Sequence, residues 1–386
     1  MIKIGNKSEC CGCSSCAQSC PQNCIEMKAD KEGFLYPSVD TVQCIGCDLC
    51  EKVCPIFQVG QMGDNVCSTY IGYNNNLSER LASSSGGIFT MLAKYVLAQE
   101  GVIYGVAFDD AFMPQYVRID HVDELFKLQG SKYVQSRMGT VYLQVRKDLH
   151  IGKIVLFSGV ACQVAGLKSF LKKEYDNLYT IDVLCHGVPS PLVWEKYINW
   201  QRKVYNSEPR QILFRKKDTG WKNYSIEIQF QNNSVYQKTF REDIYMQFFL
   251  KEICLRPSCH ACHFKKLERP SDITLGDSWG VDRYMPELDD DKGTSLILVH
   301  TQTGEEMLEQ ILPHMKYCKV DIDKVLPATA DSRKSVIPHP KRRQFFKKLY
   351  AEQDMCKIQR LLQEPFPKKV VWKMRRIYSK LREKKA

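Results

Sequence analysis

From about residue 68 the chain alternates short runs rich in β-branched and apolar residues with stretches whose apolar side chains recur at helical spacing. The runs at 69–73, 102–108, 153–158 and 178–184 predict strands, and helical periodicity covers 87–98, 137–149, 161–171 and 191–203. Strand and helix in alternation predict a mostly parallel sheet covered by helices. Residues 210–239 break this rhythm and predict antiparallel strands, so the body is expected to be mixed: α/β, or α+β when the whole chain is counted. The first sixty residues are punctuated by cysteines and prolines instead. Between the two parts, Gln58-Val59-Gly60-Gln61-Met62-Gly63-Asp64-Asn65 has two glycines and little apolar periodicity, which predicts a linker. Three units are therefore expected: a small domain at 1–60, a body at 68–335 and a basic helical tail at 336–386.

Composition narrows the class. With 386 residues, 44% hydrophobic and 26% charged, the chain has the make-up of a globular protein and enough length for more than one core. No apolar run approaches the roughly 18 residues of a membrane span, and Met1-Ile2-Lys3-Ile4-Gly5 lacks the apolar stretch of a signal peptide, so a cytoplasmic location is expected. In such a compartment eighteen cysteines point to metal binding or redox chemistry and not to disulfides. The net charge of +11 is concentrated: residues 366–386 carry nine Lys/Arg against Glu383, a net +8, which leaves +3 for the rest. A nucleic-acid-binding body is not expected. In the tail, Val371, Met374, Tyr378 and Leu381 share one helical face, with the basic residues on the others. Such a helix suits an anionic membrane surface, peripherally at the inner membrane, or an acidic partner; a solvated terminal helix is the plainer reading.

The sharpest motif is a duplication. Cys10-x2-Cys13-x2-Cys16-x3-Cys20-Pro21 is followed by Cys44-x2-Cys47-x2-Cys50-x3-Cys54-Pro55 at identical spacing. Three thiolates at two-residue steps grip neighbouring irons of one cubane, and the fourth is turned by its proline toward the other cluster. One 4Fe-4S cluster is thus expected on Cys10, Cys13, Cys16 and Cys54, the other on Cys44, Cys47, Cys50 and Cys20. Zinc knuckles also use Cys-x2-Cys but need no three-plus-one repeat. Cys11 and Cys24 stand outside the pattern and are expected to pack as small hydrophobes. Residues 1–60 resemble a bacterial dicluster ferredoxin, which implies one-electron transfer.

Four more cysteines stand in informative places in the body. Cys162 follows the strand at 153–158 through Gly159-Val160-Ala161, and Cys185 ends the strand at 178–184, so both belong near the carboxyl edge of the sheet, where open α/β sheets bind their ligands. Cys259-His260-Ala261-Cys262-His263 adds another Cys-x2-Cys pair after Arg256-Pro257. Three readings stay open: a third 4Fe-4S cluster on Cys162, Cys185, Cys259 and Cys262; zinc on Cys259, Cys262 and His263 with one more ligand; or buried thiols in turns.

Several segments together carry a family resemblance. They are Ser83-Ser84-Ser85-Gly86-Gly87, Gly130-Ser131-Lys132-Tyr133-Val134-Gln135-Ser136, Gly159-Val160-Ala161-Cys162-Gln163-Val164-Ala165-Gly166-Leu167, Cys185-His186-Gly187-Val188-Pro189-Ser190-Pro191 and Asp272-Ile273-Thr274-Leu275-Gly276-Asp277-Ser278-Trp279-Gly280. In that order, across 70–330, they resemble the coenzyme F420 hydrogenase/dehydrogenase beta-subunit family. The resemblance implies a flavin-binding body with FAD between iron–sulfur clusters and a small-molecule two-electron substrate, and it favours the third cluster. Where the family more often has Thr-Pro before the cysteine, this chain has Val160-Ala161.

For FAD, Ser84, Ser85, Gly86 and Gly87 precede a helix and are expected to offer hydroxyls, backbone N–H groups and the positive end of the helix dipole to a phosphate; an ordinary serine cap is the plainer alternative. Lys132 is expected at a phosphate or a flavin carbonyl, or else as a solvated loop lysine. Asp277 and Trp279 are expected either to shape the pocket or to be an ordinary turn aspartate and packing tryptophan, and His186 either donates a proton or is simply hydrogen-bonded. No catalytic acid or base is identified. The chain has neither G-x-G-x-x-G nor G-x4-G-K-[ST], so neither a Rossmann site nor a P-loop is expected. The leading expectation is an iron–sulfur flavoprotein oxidoreductase acting on coenzyme F420 or another substrate, including one of polysaccharide biosynthesis, with a redox partner protein as electron donor. The alternatives are an electron-transfer adaptor with no substrate of its own and a metal-stabilised scaffold.

Overall fold

The structure, a computed structural model, describes residues 1–58, 66–326 and 333–363. Most of the expected linker and the tail from residue 364 lie outside the described residues.

The N-terminal region is small because its cysteines replace a core. It has a two-stranded antiparallel sheet, β1 (Ile25–Ala29) with β2 (Leu35–Val39), and one-turn helices at Ser15–Gln18 and Leu49–Lys52, each carrying one of the cysteines. Cys16, Cys24, Cys50 and Cys54 are buried with Ile2 and Ile25.

The body is built on an eight-stranded sheet. Its strands are β3 (Ser68–Asn74), β4 (Val102–Phe108), β5 (Pro114–Ile119), β6 (Val155–Val160), β7 (Leu178–Val183), β11 (Ile273–Asp277), β12 (Ser295–Val299) and β13 (Met315–Lys319), in the order β13-β3-β12-β11-β7-β6-β4-β5. Only the centre, β11-β7-β6-β4, is parallel, and every flanking ladder is antiparallel. The sheet is thus mixed, not mostly parallel. The parallel strands are apolar on both faces, as doubly covered strands must be: Val155, Leu156 and Phe157 in β6 are fully buried. Helices Ile88–Leu97 and Gln302–Glu309 cover one face, and Val141–His150 and Ala161–Leu171 the other.

The antiparallel segment folds as a separate three-stranded sheet, β8 (Pro209–Lys216), β9 (Ser225–Phe230) and β10 (Val235–Thr239), ordered β10-β9-β8. Helices Pro191–Tyr205 and Ile244–Leu250 pack on it. Helices Arg342–Ala351 and Met355–Gln359 join that same core through Phe345, Phe346, Leu349, Met355 and Ile358. Residues 342–362 therefore belong to the body, although the sequence pattern assigns them to a basic tail. Among the described residues no helix is long and apolar enough to cross a membrane.

Candidate functional site

The β1–β2 turn is tied to the body by hydrogen bonds from the Ser190 and Tyr350 hydroxyls to the Glu32 and Lys31 carbonyls and by the Arg342–Glu32 ion pair, and the N-terminal region packs closely on the body at two further places. On helix Ala161–Leu171, Gly166 leaves room that a side chain would fill: a Cβ there would lie 2.8 Å from the Cys13 Cβ and 2.9 Å from the Ser15 Oγ. The Ser15 hydroxyl donates to the Gly166 carbonyl at 2.7 Å. At the second place Arg256, fully buried, donates to the carbonyls of Cys10 (2.8 Å) and Leu35 (2.9 Å), to the Gln135 side-chain oxygen (2.9 Å) and to the Cys10 sulfur (3.6 Å). Its guanidinium also lies 4.4 Å from the Tyr36 ring centroid. No role for Arg256 is read from the sequence; its buried guanidinium is one of the contacts that join the two parts.

Three hollows are lined by cysteine, two within the N-terminal region and one where it meets the body. Cys10, Cys13, Cys16 and Cys54 surround one; Cys20, Cys44, Cys47 and Cys50 surround a second. Both sets are the expected interleaved ones, three thiols from one motif and the fourth from the other. Cys24 borders the second hollow, its sulfur 3.4 Å from that of Cys20. The third hollow lies where β6 and β7 end, and Cys162, Cys185, Cys259 and Cys262 line it, while His263 is exposed at its rim. Burial pushes the thiols up, Cys54 to about 11, Cys259 to about 11 and Cys185 to about 12, so in metal-free protein they stay protonated at neutral pH. Cys11, expected as packing, lines both the first and the third hollow, within hydrogen-bonding reach of Cys13 and Cys162. Val188 N–H donates to the Cys259 sulfur at 3.4 Å, and Ile2 N–H to the Cys50 sulfur at 3.3 Å. All three donor sets consist of thiols around a space, which suits a polynuclear iron–sulfur group.

A much larger cavity, about 680 Å³, opens beside the third hollow. The carboxyl ends of β6, β7 and β11 deliver Gly159, Cys185 and Asp277 to its wall, as expected for the crevice at such strand ends. Ser84, Ser85, Gly87 and Lys132 also line it. Gly86 does not: a Cβ there would lie 2.6 Å from the Gly72 carbonyl oxygen, its N–H donates to the Ser295 hydroxyl (2.9 Å), and the Ser85 hydroxyl donates to the Thr294 carbonyl (3.0 Å). These two donors hold the loop to β12 and are not free for a ligand. What remains for an anion is the first turn of helix Ile88–Leu97, with Gly87 at its N-cap and no side-chain cap, together with the Ser84 hydroxyl, 2.8 Å from that of Ser131. Half-buried Lys132 donates to the Gln129 carbonyl at 3.0 Å, and burial pulls its ammonium down to about 7.

The far wall is aromatic. Trp279 stacks on Trp221 with centroids 4.5 Å apart, and Asp277 is held by Arg215 through bonds of 2.9 and 3.2 Å. His186 lines both the large cavity and the third hollow, its Nε2 3.4 Å from a Glu252 carboxylate oxygen.

Residues 69–142 match the N-terminal profile, and residues 152–324 the C-terminal profile, of the family described as coenzyme F420 hydrogenase/dehydrogenase, beta subunit. The chain belongs to the coenzyme F420 hydrogenase/dehydrogenase beta-subunit family. Residues 9–57 match a 4Fe-4S dicluster domain, which makes this family member an iron–sulfur electron-transfer protein of oxidoreductase type. The coenzyme F420-dependent sulfite reductase of Methanocaldococcus jannaschii is 23% identical over 232 residues, which are 59% of this chain and 34% of that protein. The chain thus spans about a third of that curated relative. A chain of the F420-reducing nickel–iron hydrogenase complex of Methanosarcina barkeri superposes with a TM-score of 0.45 at 16% identity, over 78% of this chain and 92% of that one.

Proposed function

We propose that the chain is an iron–sulfur flavoprotein oxidoreductase that carries electrons between two ferredoxin-type clusters, a third 4Fe-4S cluster, FAD in the large cavity and a two-electron substrate. The observation that carries this reading is that the spaces share walls. Cys11 and Ile56 line both the Cys10/Cys13/Cys16/Cys54 hollow and the third one, and Val160, Cys185, His186, Gly187 and Val188 line both the third hollow and the large cavity. Redox groups held so would be separated by single side chains.

Bound in the cavity, FAD supplies the exchange of electron pairs with a substrate and of single electrons with the clusters. The residues present fit it. The uncapped helix start at Ile88, with Ser84 beside it, offers donors to a phosphate, and Lys132 offers a cation that protonates readily once an anion faces it. Leu128, Val134, Phe249 and Leu275 supply apolar wall for a ring system, and the mouth toward Trp279, half exposed, leaves a side open to a second molecule. The substrate class remains coenzyme F420, named in the relatives above, or another two-electron carrier, including one in polysaccharide assembly. A redox partner protein feeds or drains the clusters.

The test is anaerobic purification with iron, sulfide, zinc and flavin measured on one sample. About twelve irons and one FAD are expected, the sum for three cubanes. About eight irons with FAD would remove the third cluster, and zinc would reassign Cys259 and Cys262. A second reading, a relay that passes electrons to a partner enzyme and has no flavin, is motivated by the chain's spanning only a third of the sulfite reductase. Eight irons and no flavin after reconstitution would favour it.

A further inference from the structure

The third hollow contains a charge that no group of the described chain answers. Lys265 is 8% exposed, its Nζ has no hydrogen-bond partner among the described residues, and it lines the hollow with Cys162, Cys185, Cys259 and Cys262. Arg269 lines it too, but its guanidinium stands 3.9 Å from the Asp182 carboxylate and donates to the Lys266 carbonyl at 3.0 Å. An isolated buried ammonium is strongly disfavoured unless an anion faces it. Among the described residues no carboxylate lines this hollow, so the anion has to come with whatever the four cysteines hold.

We infer that Lys265 faces an anionic iron–sulfur cluster in this hollow and raises its reduction potential above those of the two ferredoxin clusters, so that electrons collect beside the large cavity. The inference rests on the third cluster of the proposed function. Its physical basis is charge. A 4Fe-4S group in four thiolates is already anionic, and one added electron, which reduces one iron and transfers no atom, makes it more so. A fixed positive charge at the wall therefore stabilises the reduced form more than the oxidised one. Among the described residues no Lys or Arg lines either ferredoxin hollow; Arg256 donates to the Cys10 carbonyl and sulfur at the first, and the Met1 ammonium at the second is paired with Asp48 and Glu51.

The experiment is an anaerobic redox titration followed by electron paramagnetic resonance on wild type, Lys265→Gln and Lys265→Arg, with iron counted on each sample. The third centre is identified as the signal absent from Cys259→Ser. In wild type its midpoint should be the most positive of the three. In Lys265→Gln electron sharing should move about tenfold toward the ferredoxin pair, ~59 mV for a one-electron couple. Lys265→Arg should keep the wild-type value, and the ferredoxin midpoints should not move in either variant. An unmoved third midpoint in iron-replete Lys265→Gln overturns the inference. So does a wild-type third midpoint at or below the ferredoxin pair, a result that needs no variant to fold. A wild-type count of about eight irons is a different failure, since it removes the third cluster itself.

Discussion

Replacing Arg256 by methionine should unseat the N-terminal region without unfolding the body. The side chain is fully buried and donates to two carbonyls and an amide oxygen at 2.8–2.9 Å, and methionine leaves all three acceptors dry. At about 1 kcal/mol net for each lost bond, plus about 1 kcal/mol for the guanidinium 4.4 Å from the Tyr36 centroid, the seating weakens by about 4 kcal/mol. That is comparable to the ~3–5 kcal/mol typical of breaking a buried polar pair from one side. Since each 1.4 kcal/mol is tenfold, the population with the N-terminal region detached rises about a thousandfold. Amide hydrogen exchange reads this directly. Amides of β2 and of helix Ser15–Gln18 should exchange about a thousandfold faster in Arg256→Met, while those of β6 and β7 keep their rates. Arg256→Lys should recover only part of the loss, because one ammonium cannot span carbonyls contributed by Cys10 and Leu35 and the Gln135 side chain together. Equal exchange in β2 and in β6, whether both unchanged or both accelerated, would refute the assignment of Arg256 as the joint.

Three further outcomes follow from the site. Gly166→Ala should destabilise by about 1–3 kcal/mol, read as a lower denaturant midpoint at unchanged slope, because its Cβ would press on Cys13 and Ser15; helix propensity alone would stabilise by about 1 kcal/mol, so the sign decides. Lys132 is neutral above about pH 7 and charged below it, so FAD should bind more weakly as pH rises from 7, with a limiting slope of about tenfold per pH unit; titrations of Lys132→Met should show that slope lost and affinity at pH 6 reduced. Cys262→Ser should lose about four irons while keeping FAD and the ferredoxin signals, since Cys262 lines the third hollow and not the large cavity.

The parts of this fold that depend on local pattern were legible in the sequence. The expected strand at 102–108 and helix at 161–171 coincide with β4 and with Ala161–Leu171, because β-branched runs and helical periodicity are properties of neighbours in the chain. The grouping of the cysteines was legible for a different reason, the repeat of one spacing that ends each time in Cys-Pro. Strand direction was not: a buried antiparallel strand such as β12, with Leu296, Ile297, Leu298 and Val299 all buried, reads like a parallel one. Segment 342–362 was misread because Arg342, Arg343, Lys347 and Lys348 mask the apolar stripe of Phe345, Phe346 and Leu349, which only the distant three-stranded sheet can cover. The donors of Ser85 and Gly86 looked free because their partners, Thr294 and Ser295, come from a strand some two hundred residues away. Lys265 carries no signal in the sequence, since burial of a charge is decided by tertiary structure alone.

The same tertiary contacts give the proposed relay its order. Two of the contacts that seat the N-terminal region, Gly166 against Cys13 and Arg256 against Cys10, touch cysteines of the first motif, and Cys11 lines the third hollow within hydrogen-bonding reach of Cys162. The hollow of Cys44, Cys47 and Cys50 is on the other side, with Cys47, Val42 and Ile45 exposed. On this reading the first hollow is internal and the second is the one a partner can approach. Weakening Arg256 therefore separates the two halves of the relay at its narrowest point, and it should slow electron passage to the large cavity while leaving exchange at the second hollow intact.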